Sequence, residues 1–210
     1  MSYQLIIGDK LYSSWSLRAA LALDLAKAPY DELLITLNQP DTRQRILEHS
    51  PTGKVPLLKS EHGTIADSLA IAEYLAERHP DANLWPADPA ARAQARSACA
   101  QMHSGFFALR NNMPMDFSRD QALESVPLDV QVDIERIIAL WSECRLAAKA
   151  SGPYLFGELS LADAFFAPVA VRLRTYRVEL PAPAAAYVEA IYQWPAFQVW
   201  QQAGLAERAQ

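Results

Sequence analysis

Ser50-Pro51-Thr52-Gly53-Lys54-Val55-Pro56-Leu57-Leu58-Lys59-Ser60-Glu61-His62-Gly63-Thr64-Ile65-Ala66-Asp67-Ser68 is the stretch whose reading decides the fold. Residues 55–59 and 64–66 are two short β-prone runs on either side of the turn signal Glu61-His62-Gly63, so together they read as an antiparallel hairpin. Pro56 stands directly before the strand pair. It fits either an ordinary trans turn at the sheet edge or a cis peptide whose tight turn leaves the N–H and C=O of Val55 outside the sheet pairing. After the hairpin, Asp67-Ser68 opens a helix predicted over 68–78.

Upstream of the hairpin, strand-like and helix-like segments alternate. Residues 4–7 are short and β-prone. Leu17, Leu21 and Leu25 fall at i, i+4 and i+8 in a helix predicted over 15–26. Residues 33–37 read as a second strand and 42–48 as a short polar helix, which gives the order β-α-β-α-β-β-α. Residues 79–89 contain three prolines and cannot continue a helix. The expected division is therefore a domain over 1–79, a linker over 80–89 and an all-helical domain over 90–210. Helices are predicted in the second domain over 90–109, 128–150, 161–176, 183–192 and 195–202, with no strand signal. The fold class expected is α/β followed by a helical bundle.

Composition narrows the function classes. The chain has 210 residues, 51% of them hydrophobic, ample for a real core. A net charge of −5 without a Lys/Arg cluster excludes a general nucleic-acid binder, which needs a basic surface to track phosphates. No apolar run reaches the roughly 18 residues a membrane span requires, and the N-terminus lacks the basic and long apolar regions of a signal peptide. Cys99 and Cys144, the two cysteines, lie in helix-like patterns and imply neither a disulfide framework nor a cysteine-based metal site. His49, His62 and His79 are isolated, so no metal is assigned. A reducing, cytoplasmic setting is expected.

Three clusters carry candidate chemistry. In Tyr12-Ser13-Ser14-Trp15-Ser16-Leu17-Arg18, Ser13 or Ser14 either caps the first helix or donates to an anionic sulfur where backbone N–H groups and the helix dipole already favour negative charge. Lowering a thiol pKa of about 8.5 by two units requires roughly 2.7 kcal/mol. The dipole contributes about 0.3–1 kcal/mol and a hydrogen bond to a charged group about 1.5–3, so together they suffice. Val55 before Pro56 offers main-chain groups to an extended peptide. Asp67-Ser68 either caps its helix or binds an α-amino acid head group, with Ser68 and free N–H groups on the carboxylate and Asp67 on the ammonium.

In this order and spacing the clusters resemble the glutathione-binding half of the cytosolic glutathione S-transferase superfamily, in a serine-type, bacterial-like subgroup. The resemblance extends into the second half through Gly157-Glu158-Leu159-Ser160-Leu161-Ala162-Asp163, which is similar to the family's helix-initiating capping box. It implies a thioredoxin-like N-terminal domain and glutathione as co-substrate with a small electrophile, handled by a homodimer. Val55 and Pro56 would face the cysteinyl backbone of glutathione, Asp67 and Ser68 its γ-glutamyl head, and Lys54 its glycyl carboxylate. Ser13, five positions before Arg18, is the expected thiol-activating residue, with Ser14 the alternative and Tyr12 a minor candidate. Trp15, Phe106, Arg110 and Asn111 are the expected walls of the second-substrate pocket, although Met102, Phe106 and Leu109 also form a core-like stripe. Zeta-class isomerases have a similar serine-rich opening, but Trp15 stands where their cysteine would be. The activity expected is transfer to an electrophile, with a glutathione-dependent isomerase or peroxidase, or a non-catalytic binding module, as alternatives.

Overall fold

The structure is a computed structural model that describes residues 3–149 and 151–207. Four strands, β1 (Tyr3–Ile7), β2 (Tyr30–Leu34), β3 (Leu57–Ser60) and β4 (Gly63–Ile65), form one mixed sheet in the order β2-β1-β3-β4. β1 runs parallel to β2 and antiparallel to β3, and β3 pairs with β4 as the expected hairpin. Alternation along the central strands divides the core. Tyr3, Leu5 and Ile7, with Leu58, join the main hydrophobic cluster beneath α1 (Ser14–Leu25) and α3 (Ser68–Arg78). Ile6 and Leu57 face the other way and pack with Ile35 and with Ile46 of α2 (Thr42–Leu47).

The second strand lies at Tyr30–Leu34, three residues before the expected 33–37. The apolar run Leu33–Leu37 does not mark the strand limits, because β2 is an edge strand whose Asp31 and Glu32 are exposed. Ile35 still gives its N–H to Ile7 O at 2.9 Å, but the chain then turns away and Leu37 N–H is held by Asp9 Oδ2 at 2.7 Å.

A single 3-10 turn, Pro80–Ala82, leads from α3 toward the helical half: α4 (Pro89–Ser104), α5 (Phe107–Asn112), α6 (Leu128–Ala147), α7 (Leu161–Thr175), α8 (Ala182–Tyr192) and α9 (Pro195–Glu207). The expected end of the third of these at Ala150 lies outside the described residues, while α9 runs five residues past its expected end. The helix predicted over 90–109 is two helices. Gly105 is extended and Phe106 takes φ +56°, so the chain leaves α4 at Ser104 and starts again as α5. Arg110 Nη1 donates back to the carbonyls of Gly105 at 3.2 Å and His103 at 3.5 Å, satisfying acceptors at the end of α4.

Helix α1 is buried along Ser16–Leu23 because it lies between the sheet and α7. The small residues Ala19, Ala20 and Ala22 let its neighbours approach closely. The capping box is present at the start of α7: Asp163 Oδ2 accepts from Ser160 N at 2.9 Å and Ser160 Oγ at 3.2 Å. Asp163 Oδ1 accepts from Leu155 N and from Tyr187 Oη, each at 3.1 Å. Helix α9 docks on the loop after β1, where Trp200 Nε1 donates to Lys10 O at 3.0 Å and Leu11 N to Glu207 Oε2 at 3.2 Å. A Cβ on Gly204 would lie 2.9 Å from both Leu11 N and the Lys10 carbonyl carbon. Gly204→Ala is therefore expected to destabilise the protein by about 1–3 kcal/mol, seen as a lowered Tm; an unchanged Tm would mean that α9 shifts without cost. Among the described residues no helix is long and apolar enough to cross a membrane.

Candidate active site

A cavity of about 980 Å³ opens between the N-terminus of α1, the segment before β3, the start of α3 and the end of α4. Three of the sequence clusters meet there. Tyr12, Ser13, Ser14 and Trp15 line one side, Lys54, Val55, Pro56 and Asp67 the other, and Arg110 closes the helical wall. Ser68, next to Asp67 in the chain, is fully buried and does not line the cavity, and its Oγ has no partner among the described residues. Phe106 and Asn111 do not line the cavity. The break at Gly105 turns Phe106 into the hinge, packed on the core, and leaves Asn111 exposed on α5.

Ser13 is the N-cap of α1 and is 6% exposed. Its Oγ accepts from Ser16 N at 3.3 Å and lies 2.8 Å from Ser16 Oγ, which in turn accepts from Gly8 N at 3.0 Å. Ser16 therefore ties the end of β1 to the helix N-terminus. Ser14, the first residue of α1, is half-buried, and its hydroxyl makes no hydrogen bond among the described residues. The Val55–Pro56 peptide is cis, and Val55 stands two residues before the β3 ladder begins. Asp67 follows a cis Ala66–Asp67 bond and caps α3, with Oδ1 accepting from Leu69 N at 2.9 Å.

His103 is given no role by the sequence. It lines the cavity, and its Nε2 lies 3.1 Å from Asp67 Oδ2. The contact joins residues of α4 and the start of α3 that are distant in the chain, and it leaves no local signal in the sequence. Asn38 and Gln39, from the loop that opens where β2 ends early, and Arg43 of α2 also border the cavity.

The electrostatics of the helical wall are cationic. Arg110 is half-buried, its pKa lowered by burial, and its guanidinium lies over the Trp15 ring at 4.8 Å. Arg18 lies over the same ring at 4.5 Å and over Phe165 at 5.2 Å. It is fully buried, and burial first, then Arg172 and Arg110, pull its pKa down to about 9. Both thiols of the chain are raised, chiefly by burial, Cys144 to about 12, and neither lines the cavity. A nucleophilic sulfur in this site has to arrive with a ligand. Among the described residues no group of His, Cys, Asp and Glu is arranged to hold a metal ion.

Residues 12–78 match the family described as "Glutathione S-transferase, N-terminal domain". A probable maleylacetoacetate isomerase of Caenorhabditis elegans is 31% identical over 195 residues, spanning 89% of this chain and 90% of that protein. The chain belongs to the glutathione S-transferase superfamily. Another relative of this superfamily protein, glutathione S-transferase Z2 of Arabidopsis thaliana, is 29% identical over 90% of the chain and 88% of its own length. The crystal structure of a glutathione transferase homolog from Burkholderia, solved with bound glutathione, superposes with a TM-score of 0.72 at 26% identity and covers 98% of each chain. The superfamily's fold, a thioredoxin-like domain followed by a helical domain, is the fold described above.

Proposed function

We propose that the protein is a glutathione transferase whose cofactor lies along the cavity from Asp67 to Lys54, with its sulfur at the N-terminus of α1. The observation that carries this reading is the convergence of the α1 N-cap, Val55 beside Pro56, and Asp67 on one cavity. The orphan hydroxyl of Ser68 supports it, since a buried donor without a partner is costly and the γ-glutamyl carboxylate would satisfy it. Lys54 serves the glycyl carboxylate. The thiol proton leaves to solvent, and Ser13 donates its hydroxyl hydrogen to the thiolate. That requires the Ser13–Ser16 hydrogen bond to reverse, with Ser16 Oγ–H then donating to Ser13 Oγ. Ser13 is preferred to Ser14 because its bond to sulfur would be shielded from water, where a hydrogen bond to an anion is stronger. The thiolate attacks an electrophilic carbon held against Trp15 and Arg110, a carbon–sulfur bond forms, and the leaving group departs with its electron pair.

Ser13→Ala is expected to raise the pKa of bound glutathione by about 1–2 units, the equivalent of one lost hydrogen bond to a charged group. The check is an ultraviolet titration of the thiolate band, with affinity measured by calorimetry and expected to change little. Loss of the band in Ser14→Ala alone would transfer the role to Ser14.

A second reading, a glutathione-dependent isomerase, is favoured by Arg110. This cation lines the cavity with no carboxylate partner among the described residues and suits an anionic substrate such as the maleylacetoacetate in several relatives' names. There the thiolate would add to a double bond, allow rotation and leave again. Glutathione consumption separates the two readings. Transfer uses one equivalent per turnover and isomerisation none.

A further inference from the structure

His103 stands in the last turn of α4, on the helical side of the cavity, and its contacts reach across to the other half of the molecule. Nε2 lies 3.1 Å from Asp67 Oδ2, and the ring meets the edge of Trp15 with centroids 5.1 Å apart. Its main-chain carbonyl accepts from Arg110 Nη1, which holds that end of the helix in place. Nδ1 is buried without a hydrogen-bond partner among the described residues. Of the two ring nitrogens, Nε2 is the one that faces a carboxylate and can donate to it.

Asp67 is the other half of the contact. Its side chain is 56% exposed, and an exposed carboxylate rotates freely unless something holds it. Here Leu69 N–H donates to Oδ1, and His103 Nε2 lies 3.1 Å from Oδ2. A carboxylate has about four acceptor positions, so this clamp leaves room for an ammonium group while setting the direction from which it approaches.

We infer that His103 is a positioning residue: it donates Nε2–H to Asp67 Oδ2 and fixes the carboxylate in the orientation that pairs with the ammonium of the γ-glutamyl head. This rests on the reading of Asp67 given above. It adds that α4, which walls the second-substrate pocket, also sets how tightly the thioredoxin-like half holds its cofactor.

The test is calorimetric titration of the full chain, unsubstituted and as His103→Ala, His103→Gln and Asp67→Ala. The ligands are reduced glutathione and glutaryl-cysteinylglycine, which differs only in lacking the α-amino group. His103→Ala is expected to raise the Kd for glutathione about tenfold, the size of one lost orienting hydrogen bond to a charged group. The Kd for the amine-free ligand should stay constant. His103→Gln, which keeps an N–H donor at similar reach, should recover most of the loss. Equal weakening of both ligands would reveal collapse of the cavity wall and overturn the inference. So would an unchanged Kd for glutathione in His103→Ala beside a raised one in Asp67→Ala. If Asp67→Ala also bound glutathione normally, the head-group reading itself would fall.

Discussion

Asp67→Ala is expected to weaken glutathione binding by roughly 10- to 150-fold, the largest effect on binding of any single substitution at the site. The ammonium of the γ-glutamyl head would lose its one carboxylate, a charged hydrogen bond of about 1.5–3 kcal/mol, and each 1.4 kcal/mol is a factor of ten. The same change removes the cap that Oδ1 provides to Leu69 N–H, at a further cost of about 0.5–2 kcal/mol to α3. Asp67→Asn separates the two roles. Its amide oxygen keeps the cap while the charge is gone, so stability should be restored and affinity should not. The measurement is a calorimetric Kd beside a thermal melt for each variant. An Asn variant that binds as tightly as the unsubstituted protein would show that Asp67 acts only as a cap.

The largest expected effect on stability is at Asp163, which does not line the cavity. This carboxylate is fully buried and accepts from four donors: Leu155 N, Ser160 N, Ser160 Oγ and Tyr187 Oη. Asp163→Ala leaves those donors without an acceptor and is expected to cost about 3–5 kcal/mol, enough to unfold a marginally stable chain. Burial pushes the carboxyl up to about 6, with the hydrogen bonds from Leu155, Ser160 and Tyr187 pulling the other way. The folded value lies above the unfolded value of about 3.9, so the native state binds more protons between those two limits. The stabilisation linked to this group is therefore full below pH ~4 and is lost as pH rises through 6. Denaturant unfolding from pH 4 to pH 7 should show the advantage over Asp163→Asn shrinking by about 2–3 kcal/mol. A constant difference would mean that Asp163 ionises normally in the folded protein.

These two aspartates mark the limits of reading the chain without its structure. Asp163 was legible, since a Ser160-to-Asp163 spacing ahead of an apolar helix is local chemistry. Its further partners, Leu155 and Tyr187, come from a turn and from α8 and carry no local signal. Asp67 was legible as a helix opener after a hairpin, but its contact with His103 was not, because it joins α3 to α4 across the cavity. The apolar run 33–37 pointed to the wrong strand limits because an edge strand has one exposed side, so its register follows pairing with β1 more than its own hydrophobicity. The break at Gly105 was hidden by helix-compatible residues on both sides of it.

By itself the sequence determined the order of elements apart from α5, the division between a sheet-bearing half and a helical half, and the three clusters that meet at the cavity. Each of these rests on interactions within a few residues: periodicity, caps, and a proline before a hairpin. Only the tertiary structure decided which side chains face one another across the cavity. It kept Arg110 on the wall and removed Phe106 and Asn111 from it, gave Asp67 its imidazole, and drew Arg18 into burial beneath Trp15. The physical reason is that such contacts depend on the angle at which α4 leaves the sheet domain and bends at Gly105, and that angle is set by packing summed over the whole core.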